Sequence, residues 1–166
     1  LKHYDNVVPF EFAVEDRFFI KGQNRSHQNI WKNKTLDLVC MMGIGQCPWR
    51  VDITEALKNK YGEPSDRFFI GAGECRQTGR FWESLATGCL IFYQPIEPFV
   101  WHTPYVDGKH IVTYSDNDEL IDKADYYMSH EDQAEKIARR GYHLMLKTGQ
   151  TLNRGQEFLS LIKEYL

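Results

Sequence analysis

The sequence has no apolar run approaching the roughly 18 residues that a membrane-crossing helix requires, so nothing in it reads as a membrane span. It has no C-x-x-C pair. Its four cysteines, Cys40, Cys47, Cys75 and Cys89, are spaced for neither a zinc site nor a redox couple. It also lacks an excess of either charge: 20 Lys+Arg against 23 Asp+Glu give a formal net charge of -3. That balance excludes a global field drawing the chain to nucleic acid or anionic lipid. Internal repeats, low-complexity tracts and clear linkers are missing too. Two N-x-S/T sequons, at Asn24 and Asn33, come without a signal-peptide pattern, so a reducing cytoplasm is the expected compartment.

What is present describes an ordinary folded domain. A length of 166 residues with 42% hydrophobic and 14% aromatic residues can bury a core without disulfides or metal. The first residue is Leu1, which reads as the start of a processed or excised piece. Residues 1–35 read as an entering segment, partly irregular, and 36–166 as one Rossmann-like domain. Within the latter, Leu36 to Met42 and Cys89 to Tyr93 are apolar on both faces, as strands buried inside a parallel sheet are. Arg67 to Ile70 and His110 to Tyr114 are further strand candidates. Helices are expected from Asp52 to Tyr61, opened by Asp52-x-x-Glu55, and from about Thr78 to Ala86, stopped by Gly88.

The last third reads as helical. Starts are expected at Ser115-x-x-Asp118, Ser129-x-x-Asp132 and Asn153-x-x-Gln156. The inward faces would be Leu120, Ala124 and Tyr127; then Ala134, Ile137, Ala138, Gly141 and Met145; then Phe158, Leu161, Ile162 and Tyr165. The fold class is therefore α/β: a Rossmann-like parallel sheet flanked by helices, with a helical C-terminal region.

Two places can hold chemistry. The turn after Leu36–Met42 carries Gly43, Gly45 and Arg50. At the carboxyl end of a parallel strand, two glycines and free backbone N–H groups can admit a phosphate, with Arg50 adding a charge-assisted contact. The spacing fits neither G-x-G-x-x-G nor a P-loop, and the same glycines also suit a plain tight turn. The second place is the stretch from Gly71 to Gly88. There Arg80 and Glu83, three apart on one helix face, can serve a phosphate and two sugar hydroxyls, or can form a surface ion pair. His102 and His110 lack a third ligand at metal spacing. Asp116, Asp118 and Glu119 read as helix-start charges favoured by the dipole, and Lys136 to Arg140 as a solvated face.

The run GRFWESLATGCLIF, then Pro98-Phe99, then DNDELIDKADYYMSHEDQAEKIARRGY resembles the donor-binding half of GT-B glycosyltransferases. The likeness is to the group-1 type found in spore-maturation CgeB-like proteins. It rests on Arg80, Phe81, Glu83, Ala86, Gly88, His130-Glu131, Lys136-Ile137-Ala138, Gly141 and Arg154, and spans roughly residues 36–166. The resemblance implies a nucleoside-diphosphate sugar donor, with no bound metal and no cofactor. By that likeness Glu83 holds the ribose hydroxyls, the Gly43/Gly45 turn faces the diphosphate, and Arg80 and Arg50 compensate its charge. Thr87 joins the donor-binding set. Glu74 takes the place of the acidic residue near the transferred sugar, although it lies nine residues before Glu83 where relatives have eight.

An acceptor (glycan, protein or small molecule) would be held by a missing N-terminal domain, so this chain alone is expected to bind donor and transfer nothing. The alternative is a non-catalytic nucleotide- or carbohydrate-binding module of the same fold.

Overall fold

The computed structural model describes residues 31–32, 48–61, 68–71, 79–95 and 103–165, with the backbone alone at 48–50, 68–71, 79–80 and 165. The expected strand Leu36 to Met42 and the boundary at residue 35 lie outside the described residues. Helix α1 (Pro48–Tyr61) leads to β1 (Phe68–Gly71), α2 (Gly79–Ala86), β2 (Leu90–Tyr93) and β3 (Val112–Thr113). Three helices follow: α3 (Asn117–Ser129), α4 (Glu131–Thr148) and α5 (Thr151–Tyr165). The described strands form one parallel sheet of order β1-β2-β3, with Phe68 opposite Leu90 and Phe92 opposite Val112. The Rossmann-like α/β class is what the chain adopts.

Strand β2 is central and buried on both faces, which is why its sequence is apolar without alternation. Leu90 and Phe92 face a cluster with Trp31, Ile53, Leu57, Val112, Leu120, Ala124, Ala134 and Ile137. Ile91 and Tyr93 face a second cluster with Phe81, Trp82, Leu85, Tyr105, Ile111 and Met145. Helix α4 serves both: Ala134, Ile137 and Ala138 pack in the first, Met145 in the second. Between them lies Gly141. A Cβ there would sit 2.5 Å from the His110 carbonyl oxygen and 2.8 Å from Leu85 Cδ2. The missing side chain lets the helix pass against the backbone just ahead of β3.

Helix α2 ends as its sequence announces. Gly88 has φ 74, its N–H donates to Leu85 O (3.0 Å), and Cys89 N–H donates to Ser84 O (3.2 Å), a Schellman turn. Other boundaries differ from expectation. Helix α1 begins at Pro48, where a missing N–H costs nothing, so Asp52 and Glu55 lie inside the helix and cap nothing. The cap of α3 is Asp116, one residue after Ser115. Ser129 closes α3 by donating to the Asp125 and Tyr126 carbonyls, each at 2.9 Å, and His130 heads α4 without a side-chain cap bond.

Helix α5 starts at Thr151, and its phase is the largest correction. Phe158 and Ile162 were expected inward but are 51% and 36% exposed, while Arg154 is 3% exposed. Residues 158, 159, 161 and 162 fall within about 160° of one another, so they do form one face; the covered side is instead the flank that holds Arg154 and Glu157, where Arg154 makes its hydrogen bonds. Trp31, within the entering segment, is 2% exposed, with its indole N–H donating to Glu131 Oε1 (3.2 Å).

Two glycine substitutions separate packing from propensity. Gly141→Ala should destabilise the chain by about 1–3 kcal/mol, because the carbonyl it meets cannot swing aside, outweighing a helix-propensity gain of about 1 kcal/mol. Gly155→Ala on α5, where a Cβ meets nothing within 4 Å, should stabilise by about 0.5–1 kcal/mol. Urea unfolding of both variants measures this; equal effects of one sign would contradict the close approach.

Candidate functional site

In a parallel sheet each strand leads into a helix that returns antiparallel to it, so the N-termini of α2 and α3 lie at the carboxyl edge of the strands. Helix α1 meets α3 at its own C-terminal end. Its last residue, Tyr61, donates its hydroxyl to Asp125 Oδ1 (2.6 Å) in the second half of α3, and Lys60 pairs with the same carboxylate. The C-terminus of α1 therefore sits by the C-terminal half of α3. Lys60 and Tyr61 together hold the Asp125 carboxyl below the usual carboxylate range, and burial pushes the Tyr61 phenol up. The openings of α2 and α3 thus share one edge of the sheet.

They differ in what they offer. Helix α3 satisfies its own terminus: Asp116 Oδ1 accepts from Glu119 N–H (2.9 Å), and Glu119 Oε2 accepts from Ser115 N–H (2.7 Å) and Ser115 Oγ–H (2.6 Å). Glu119 also pairs with Lys123 (2.7 Å), which in turn donates to the Thr113 carbonyl at the end of β3 (2.7 Å). Asp116, Asp118 and Glu119 are helix-start charges, as expected. Helices α1 and α2 have no acidic residue in the first turn. Each instead carries an arginine there, Arg50 and Arg80. A cation in the first turn runs against the helix dipole by roughly 0.3–1 kcal/mol unless an anion sits with it. The first turns of α1 and α2 thus differ in charge from that of α3.

Helix α2 is seated by aromatic rings. Phe81 stands edge-on to Trp82, Tyr93 and Tyr105, with centroids 5.6, 5.2 and 5.2 Å away. Burial raises the Tyr93 phenol to about 12, so the ring stays neutral at any ordinary pH. With Phe81, Trp82, Leu85 and Ala86 buried, the Glu83 side chain is left half-buried. Thr87 lies at the other end of α2, toward the amino edge, its hydroxyl donating to Ser84 O (2.9 Å). The structure thus places the backbone of Arg80 and the residue Glu83 on a helix that opens at the carboxyl edge, and Thr87 at the other end of that helix; the backbone of Arg50 lies in the first turn of α1. Gly43, Gly45 and Glu74 lie outside the described residues.

Elsewhere, Tyr105 packs its loop down, its hydroxyl meeting Met145 Sδ at 3.6 Å. His110 Nδ1 accepts from Val106 N–H (3.1 Å) inside a turn, and burial, then Lys109 and Arg140, lower its pKa. Lys136, Arg139 and Arg140 are solvated as expected. Sequence reasoning did not find the Lys123–Thr113 and Arg154–Thr103 contacts, since both join residues through a loop whose course no periodicity reports. No helix among the described residues is long and apolar enough to cross a membrane.

A family model described as glycosyl transferase-like matches residues 53–160. Among solved structures, the crystal structure of a glycosyltransferase from Rickettsia africae ESF-5 is similar with a TM-score of 0.63 and 18% sequence identity. The likeness covers 96% of this chain and 57% of that one, so the chain spans little more than half the length of this relative. None of the curated proteins matches.

The self-closure of α3 has a titration signature. Hydrogen bonds from Lys123 first, and then from Ser115, bring the Glu119 carboxyl to about 2. Because this folded value lies below the unfolded one of about 4.3, its stabilisation is present above pH about 4.3 and lost as pH falls through about 2. NMR titration of Glu119 should give a midpoint near that value, displaced upward in Lys123→Met; an unmoved midpoint would refute the assignment.

Proposed function

The chain belongs to the glycosyl transferase-like family, and from that premise we propose that it is the donor-binding half of a GT-B glycosyltransferase that uses a nucleoside-diphosphate sugar. The observation that carries this reading is a contrast between first turns: those of α1 and α2 hold an arginine and no acidic residue, whereas α3 opens on acids that close its own terminus. A diphosphate at the first two resolves the conflict between cation and dipole. Arg80 and Arg50 compensate the phosphate charge, which grows as the glycosidic bond to the sugar breaks and the nucleoside diphosphate leaves. The Gly43/Gly45 turn admits the diphosphate close to backbone N–H groups. Glu83, in the middle of the same short helix as Arg80, accepts hydrogen bonds from the ribose hydroxyls, and Glu74 faces the transferred sugar.

Side chains and helix dipoles supply the charge stabilisation in this scheme, so transfer is metal-independent. The acceptor is assigned to a second domain, and this chain alone binds donor without transferring the sugar. Thr87, committed to the α2 C-terminus, has no part in donor contact.

A thermal-shift and calorimetric panel of UDP, GDP, dTDP, ADP and CMP tests the reading. One or more diphosphates should stabilise the chain, by about 2.7 kcal/mol when free ligand is about a hundred times its dissociation constant. Glu83→Ala and Arg80→Gln should each weaken binding, and chelator should leave it unchanged. No stabilisation by any nucleotide, or equal stabilisation of Glu83→Ala, overturns the site.

A further inference from the structure

Arg154 is a charged side chain that is 3% exposed on a helix whose apolar residues Leu152, Phe158 and Leu159 are 69%, 51% and 58% exposed. Burying a guanidinium is costly unless its hydrogen bonds are met, and here they point to one place. Nη2 donates to Thr103 Oγ1 at 2.9 Å, and Nη1 pairs with Glu157 Oε2 at 2.7 Å. Thr103 is itself 3% exposed. Two residues on, Tyr105 is held between Met145 Sδ and the edge of the Phe81 ring. Phe81 is flanked in sequence by Arg80 and lies two residues before Glu83. A continuous set of contacts therefore joins α5 to the opening of α2: Arg154, Thr103, Tyr105, Phe81.

We propose that Arg154 is a positioning residue for the donor site, fixing through Thr103 and Tyr105 the seat of α2 and hence the placement of Arg80 and Glu83. It touches no substrate. The inference rests on the donor-site reading above and adds to it a control point on a separate helix. Thr103 is the place to test it, because Thr103→Val keeps the side-chain shape and the Arg154–Glu157 pair while removing one hydrogen-bond acceptor, and Thr103→Ser retains it.

The ligand-free readout is the backbone amides of residues 79–84, followed by NMR shifts and hydrogen exchange. Thr103→Val should shift the Phe81 to Ser84 amides and speed their exchange, and Thr103→Ser should restore both. The second readout is calorimetric affinity for UDP, GDP, dTDP and ADP, taken well below each variant's unfolding midpoint. Thr103→Val should weaken it about 3- to 10-fold, with Thr103→Ser at the wild-type value. A double-mutant cycle of Arg154→Gln with Tyr105→Leu should be non-additive in affinity, since both interrupt one set of contacts.

Unmoved α2 amides overturn the inference and leave the donor reading standing. So do moved amides with unchanged affinity, or an additive cycle. A wild-type chain that binds none of the nucleotides overturns the donor reading, and this inference with it.

Discussion

The fold depends on how closely one helix can approach one carbonyl group. Helix α4 reaches across both faces of the central strand only because Gly141 presents no side chain to the His110 carbonyl. Ahead of that point its alanines and Ile137 seal the face of Leu90 and Phe92; beyond it Met145 seals the face of Ile91 and Tyr93. The cost of a glycine inside an 18-residue helix is offset by that double use. Leu85 is the other group at the crossing, so the same contact sets how α2 lies against the sheet. The position of the candidate site follows from that crossing.

Charge then distinguishes helix openings that topology makes equivalent. The openings of α2 and α3 both lie at the carboxyl edge, and a dipole argument alone would favour an anion at each. The carboxylates of Asp116 and Glu119 already occupy the α3 terminus, and Lys123 locks Glu119 to the end of β3. The first turn of α2 has an arginine and no acidic residue, so the two openings differ in the charge that their own sequence supplies.

Much of this was legible in the sequence where a single physical cause dominates. Gly88 announced the end of α2 because a left-handed residue there favours glycine. The unbroken apolar run Leu90–Tyr93 announced a strand covered on both sides. The spacing of Ala134, Ile137, Ala138, Gly141 and Met145 gave the buried face of α4 correctly. Reading failed where two causes compete. At the start of α3 both Ser115 and Asp116 are capping residues; Asp116 Oδ1 takes the Glu119 N–H, while Ser115 donates its own N–H and hydroxyl to the Glu119 carboxylate. In α5 the apolar residues share one side of the helix, yet the side that is covered is the flank holding Arg154, a buried arginine that no apolar pattern announces. Of the candidate site, the sequence pattern puts Arg80 and Glu83 on one short helix, whereas the aromatic seat that holds this helix joins residues far apart in the chain.

The parallel register also governs the order in which the molecule can assemble. Phe68 meets Leu90 and Phe92 meets Val112, so no ladder bond between strands forms until about twenty residues of intervening chain have been closed into a loop. Helices α3, α4 and α5, by contrast, make their internal bonds from neighbours in sequence and face no such entropic barrier. The carboxyl edge therefore depends on non-local closures, whereas helical content rests on contacts local in sequence. Helical content and the integrity of the sheet edge are thus separate properties of the chain.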